Sequence, residues 1–156
     1  MNNNLIYWIW LSLLGSKTGF RKCSELISYY GNPQNIWEAS KSDYSKLPFS
    51  SPALVKQLSD EKNRKDAVIY FKKTMDLGID AITIEDEDYP EPLKNIYDPP
   101  VVLYAFGKLK KDERAIAVVG ARNATTYGLK MAKKLSYELS ARGFTIASGM
   151  ARGVDS

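Results

Sequence analysis

Residues 5–14 (LIYWIWLSLL) hold a single polar position, Ser12. A segment that is apolar on every side predicts a helix buried all round. The next five residues, 15–19 (GSKTG), predict a turn. Residues 20–30 follow with Leu26, Ile27 and Tyr30 at helical spacing. Gly31 supplies a C-terminal stop, and Pro33 bars continuation. A short helix over 34–40 is expected to carry Trp37 inward. Ser51-Pro52 reads as an N-cap followed by proline at the first helical position. The helix it opens is expected to reach residue 77, with a break in the charged stretch 60–66, and to end at Gly78.

Beyond Gly78 the period changes. Residues 79–84 alternate apolar and polar, as a strand does. Residues 85–100 are acidic and proline-bearing, which favours extended chain or loop over helix. Residues 101–106 predict a second strand, closed by Gly107, and 108–114 a charged loop. The run 115–119 (AIAVV) is continuously apolar, as in a strand buried on both faces of a parallel sheet. Thr125 or Thr126 caps a helix over 127–142 whose apolar stripe is Leu129, Ala132, Leu135 and Leu139. Gly143 closes it, and 144–148 is a further buried strand. The pattern predicts two domains: a small helical one over 1–78 and an α/β one over 79–156.

Composition narrows the chemistry. The chain has one cysteine, Cys23, and no histidine. An internal disulfide is excluded, a metal cluster is not expected, and Ser-His-Asp, Cys-His and His-metal chemistry are removed. The apolar run at 5–14 is not preceded by positive charge, since Lys17 is the first basic residue. It is also too short to span a bilayer, so the expectation is a cytoplasmic protein without a membrane segment. The net charge of +4 is unevenly spread. Acidic residues gather over 80–98. From Arg114 onward the basic residues Arg114, Arg122, Lys130, Lys133, Lys134, Arg142 and Arg152 face only Glu138 and Asp155. A basic half suits an anionic partner, although solvated helix and strand edges would look the same.

The most informative stretch is the βαβ unit over 115–148. Its first strand leads into Gly120-Ala121-Arg122, where glycine permits a sharp turn and close approach of an anion. Arg122 adds a fork of donors suited to phosphate. The second strand leads into Ser148-Gly149-Met150-Ala151-Arg152-Gly153, another glycine-bearing turn with another arginine. Both turns follow the carboxyl ends of strands, where open α/β sheets bind ligands. Neither G-x-G-x-x-G nor the Walker pattern is present, which disfavours an ordinary dinucleotide or P-loop site.

The runs VVGARNATTYG (118–128) and SGMARGVD (148–155), with the upstream YPEPLKNIYDPPVVLYAFG (89–107), resemble the paired signature and lead-in of the DprA/Smf DNA-processing family. The resemblance is strong from Tyr89 onward and weak before Gly78. It implies a helical domain followed by a Rossmann-like sheet. It also implies a single-stranded DNA-binding protein of DNA uptake and natural transformation, which protects incoming DNA and loads a RecA-type recombinase. It implies a homodimer, no cofactor and no catalysis. Carried over by position, Gly120 and Arg122 belong to the first DNA-binding loop, and Ser148, Gly149, Arg152 and Gly153 to the second. Asp155 is expected to cap a following helix. Family members continue with a helix and more strands, so over 79–156 the sheet is expected to be incomplete and to expose an edge.

Family members often begin with a helix-hairpin-helix, and residues 14–19 sit where its hairpin would be. Lys17, Arg21 and Lys22 are therefore secondary candidates for DNA contact, against the alternative of an ordinary solvated turn. The aromatic residues of this half are expected in the core rather than as base-stacking platforms. Two other functions stay open: a phosphoribohydrolase-like enzyme, whose Pro-Gly-Gly loop and nearby Glu do not occur here, and a nucleotide sensor with the same phosphate pocket.

Overall fold

The structure is a computed structural model that describes residues 4–109 and 114–156. The charged loop expected over 108–114 thus falls largely outside the described residues. Two compact units are present, one within 4–109 and one within 114–156.

The first unit is built on α1 (Leu5–Thr18), whose Ile9, Trp10, Leu11 and Leu14 are fully buried. The helix continues through the expected turn at 15–18. Gly15 is a helical packing position: a Cβ there would strike the Phe20 ring and lie 3.0 Å from Cys23 Sγ. Glycine here lets the next helix approach, and the chain reverses only at Gly19, with φ of 87°. α2 (Phe20–Tyr30) ends at Gly31, with φ of 86°. α3 (Pro33–Glu38) starts on proline and is capped by Asn32. Its fully buried residue is Ile36, whereas Trp37 is half-buried, edge-on to Tyr7 and Trp10, with the Arg64 guanidinium 4.8 Å from its ring.

α4 (Lys41–Ser45) was not expected; Ser40 and Asp43 form a capping box at its start. α5 (Pro52–Leu58) is capped by Ser51, as the Ser-Pro pair predicts. The predicted break falls at Asp60, which caps α6 (Glu61–Asp76). Burial pushes the Cys23 thiol up to about 12, because the low-dielectric interior disfavours a thiolate.

β1 (Asp80–Thr83) and β2 (Val102–Ala105) pair antiparallel, from Asp80 opposite Ala105 to Thr83 opposite Val102. Between them α7 (Glu91–Lys94) adds one turn that the prolines did not predict. Proline is tolerated there because first-turn N–H groups need no helical partner. Tyr89 is buried, and its hydroxyl donates to Pro100 O at 2.7 Å. Val101 and Val102 belong to the helical core, with Ala81 and Ile84 packed against it. The change of period near Gly78 is thus a change of secondary structure inside a unit that runs on through β2.

The second unit is a βαβ element: β3 (Ala115–Ala117), α8 (Thr126–Ala141) and β4 (Thr145–Ala147), with β3 and β4 parallel. Thr125 caps α8 by accepting from Gly128 N–H. The strands are shorter than expected, and β3 is not buried on both faces: Ala115 and Ala117 are exposed. Among the described residues, none in this unit reaches full burial. One helix cannot cover both faces of a two-stranded sheet. On α8, Ala132 and Leu139 are half-buried while Leu129 and Leu135 are exposed. The molecule is therefore α/β: a helical N-terminal region followed by a small parallel sheet.

Candidate nucleic-acid interface

The chain leaves β3 and β4 on the same side, because parallel strands joined by one helix present both carboxyl ends together. Val118 N–H donates to Ala147 O at 2.9 Å, and the two following loops pack directly on each other. Gly120 N–H donates to Asp155 Oδ1 at 2.9 Å. Val154 N–H donates to Ala121 O at 3.3 Å. Ser148 Oγ lies 2.9 Å from both Val118 O and Asp155 O. Its single proton serves those carbonyls.

The glycines are explained by this contact. A Cβ on Gly120 would stand 2.7 Å from Val154 Cβ. A Cβ on Gly153 would meet Ala121 O and stand 2.8 Å from Arg122 Cα, and its φ of 103° suits glycine alone. Gly149 is less confined: a Cβ there would stand 3.2 Å from Asp155 Oδ2.

The structure thus brings Gly120, Ser148, Gly149 and Gly153 together, with the Arg122 backbone against Gly153. Arg152 joins them through its side chain, whose Nη2 donates to Asn123 Oδ1 at 3.1 Å. Both arginines are exposed. The partner of Arg152 is neutral, and the carboxylate in the junction is Asp155. Asp155 ties the second loop to the first. Residue patterns did not single out Asn123 or Lys133. Lys133 lines a cleft of about 650 Å³ with Ser148, Gly153 and Asp155, between α8 and the loops. Its position on α8, facing the carboxyl end of β4, was the available signal.

The helical hairpin is different. Lys17 Nζ donates to the buried Asn63 Oδ1 at 2.6 Å. Lys22 pairs with Glu25 and lies over the Phe49 ring at 4.7 Å. The Arg21 guanidinium donates to Tyr97 Oη at 2.8 Å and sits beside Glu25. Its backbone N–H donates to Asp98 Oδ1 at 2.6 Å. The start of α2, where a hairpin would receive a phosphate, holds a carboxylate from the loop before β2.

A cavity of about 920 Å³ lies elsewhere, beside α4, α5 and the start of α6. Two of its polar residues, Ser51 and Asp60, are already used as helix caps. Among the described residues no helix is long and apolar enough to cross a membrane. No group of His, Cys, Asp and Glu among them could hold a metal ion.

Residues 80–156 match the model of a family described as DNA recombination-mediator protein A. The chain is 45% identical over 80 residues to DNA processing protein DprA of Bacillus subtilis, covering 50% of this chain and 27% of that protein. It is 27% identical over an alignment of 160 positions to protein Smf of Synechocystis, covering 99% of this chain and 40% of the relative. The crystal structure of DprA from Streptococcus pneumoniae superposes with a TM-score of 0.64 at 26% identity, covering 99% of this chain and 51% of that one. The chain thus spans about half of the length of these relatives, or less.

Proposed function

Because the chain belongs, through residues 80–156, to the DNA recombination-mediator protein A (DprA/Smf) family, we propose that it binds single-stranded DNA at the paired loops after β3 and β4. The carrying observation is the junction itself. Two loops are locked on each other by backbone hydrogen bonds, with Arg122 and Arg152 exposed beside them. Each guanidinium offers a planar fork for a phosphate, and phosphate contacts read no sequence. Delivery of the strand to a RecA-type recombinase, homodimerisation and a cytoplasmic role in DNA uptake complete the proposal.

We read the site as binding rather than catalytic. The Ser148 hydroxyl donates to the Val118 and Asp155 carbonyls, and the Asp155 carboxylate accepts from Gly120 N–H. Nucleophilic catalysis needs a hydroxyl paired to a base.

Fluorescence anisotropy of a labelled oligonucleotide, titrated at several salt concentrations, tests the proposal. Arg152→Ala should weaken binding to every sequence by a similar factor. It should also flatten the salt dependence by about 0.7 log unit per lost phosphate contact. Unchanged affinity and slope in both Arg122→Ala and Arg152→Ala would overturn it. Thermal stabilisation by mononucleotides but not by oligonucleotides would assign the cleft to a small nucleotide instead.

A further inference from the structure

Met150 follows Gly149 in the second loop. Among the described residues it is the one non-glycine residue with positive φ, at 49°. Its side chain is 84% exposed. Both features are unfavourable within the chain. Left-handed backbone crowds the Cβ of any L-residue, so glycine or asparagine is the ordinary occupant. An unbranched apolar side chain in water gains nothing from burial. The fold holds the strained backbone, yet the side chain draws no packing from it. Single exposed apolar residues are common; one in a disfavoured conformation beside a phosphate-type site is not, and such outliers gather at ligand sites.

The first loop shows a parallel feature. Val119, immediately before Gly120, is 71% exposed. Each loop therefore carries an exposed apolar side chain next to a glycine, Val119 before Gly120 and Met150 after Gly149. The same two loops carry Arg122 and Arg152, both exposed. A ligand suited to these loops has both anionic and flat apolar parts, as an unstacked nucleotide in a single strand does.

We propose that Met150, with Val119 as its counterpart, is a nucleobase platform: its thioether lies against the face of an unstacked base whose phosphate is held by the arginines. This rests on the single-strand reading above and adds to it a contact that phosphate binding does not need. Methionine suits the role, because sulfur packs well on aromatic rings and the flexible stem adapts to any base. The contact is tolerant of sequence, as stacking is in other single-strand binders.

The test compares two strands of equal length, one of thymidines and one of abasic sugar-phosphate units, bound to the full chain by anisotropy. Met150→Gly is the central variant, because glycine accepts the backbone at this position and folding is preserved. It should weaken binding to the base-bearing strand by about two- to tenfold. Affinity for the abasic strand and both salt slopes should not change, since a base contact releases no counterion. A 2-aminopurine strand should lose part of its fluorescence change in Met150→Gly. No loss on the base-bearing strand, or equal loss on both strands, would overturn the platform. In either case salt-dependent binding that Arg152→Ala reduces on both strands leaves the single-strand reading standing. Binding of wild type to neither strand would remove both. Binding to anionic lipid vesicles that depends on Met150, without the loss on DNA, would replace the base with a membrane surface and also overturn it.

Discussion

The hairpin between α1 and α2 and the loop pair after β3 and β4 look alike in composition. Both set glycines among cations. In the hairpin the glycines serve packing and reversal: Gly15 admits the Phe20 ring, and Gly19 turns the chain. Its cations are engaged by Asn63, Glu25 and Tyr97, and Asp98 holds the amide at the start of α2. In the loop pair Gly153 presses backbone on backbone and Gly120 admits the Val154 side chain, while the arginines remain at the surface. Glycine and cation at a turn are thus compatible with opposite roles. What separates them is whether a carboxylate of the fold pairs with the cations, as Glu25 does in the hairpin.

The two regions also differ in how they are held. The first unit has a buried core running from Trp8 to Val102, whereas the described residues of the second hold none that is fully buried. Leu14→Ala should therefore cost about 2–5 kcal/mol through lost burial and the cavity left behind. Leu135, 49% exposed, should respond to the same change within about 0.5 kcal/mol, as surface positions do. Urea denaturation followed by tryptophan emission reports the first unit, since Trp8, Trp10 and Trp37 all lie there. Hydrogen exchange at Ile116 and Ile146 reports the second. Equal losses from the two leucines would erase the contrast.

Next in size is Gly153→Ala. The strained backbone costs about 1–3 kcal/mol, and the methyl group would collide with Ala121 O. The loops should part, exposing Gly120 and Val154 amides to rapid exchange and reducing oligonucleotide binding together with its salt slope. The first unit should melt as before. Protected amides and wild-type binding in this variant would mean that the contact between the loops is not what forms the site.

Much of this was legible in the residues. Caps at Ser51 and Thr125, stops at Gly31 and Gly78, and the βαβ unit all follow from local chemistry that tertiary contacts reinforce. Ser40-x-x-Asp43 carried a capping signal for α4 that apolar periodicity alone passed over. Gly15 was misread because glycine followed by polar residues is the ordinary sign of a turn. Only a ring five positions on shows that it is a packing contact. Asp98 and Asp155 act across 77 and 35 residues, distances at which no local pattern indicates a partner. The exposure of β3 had the same cause: an apolar run states that a strand can be buried, not how many neighbours cover it.

Asp98→Ala should have a smaller effect than either glycine or core change. It removes a side-chain cap from the Arg21 amide, a loss of about 0.5–2 kcal/mol. Asp98→Asn keeps an acceptor and should recover part of it. A melting temperature unchanged in both variants would show that the carboxylate contributes nothing to the hairpin.

The smallest expected effect is the sharpest test of the opening contrast. Arg21→Gln with Lys22→Gln removes two cations from the hairpin, and both are surface changes. Lys17 is left intact, because losing it would strip the buried Asn63 of a partner. If the hairpin contacts DNA, the double variant should lose up to two phosphate contacts and flatten the salt slope by about 0.7 log unit for each. The geometry argues otherwise: Glu25 pairs with both cations, and Asp98 would repel a phosphate from the Arg21 amide. The expected result is affinity within about twofold of wild type, less than 0.5 kcal/mol, and an unchanged slope. The double variant is measured beside Arg122→Ala with Arg152→Ala, which removes the same charge from the loop pair. A loss that follows net charge alone would appear in both. A loss confined to the loop pair would show that the position of a cation, not its number, decides which turn binds.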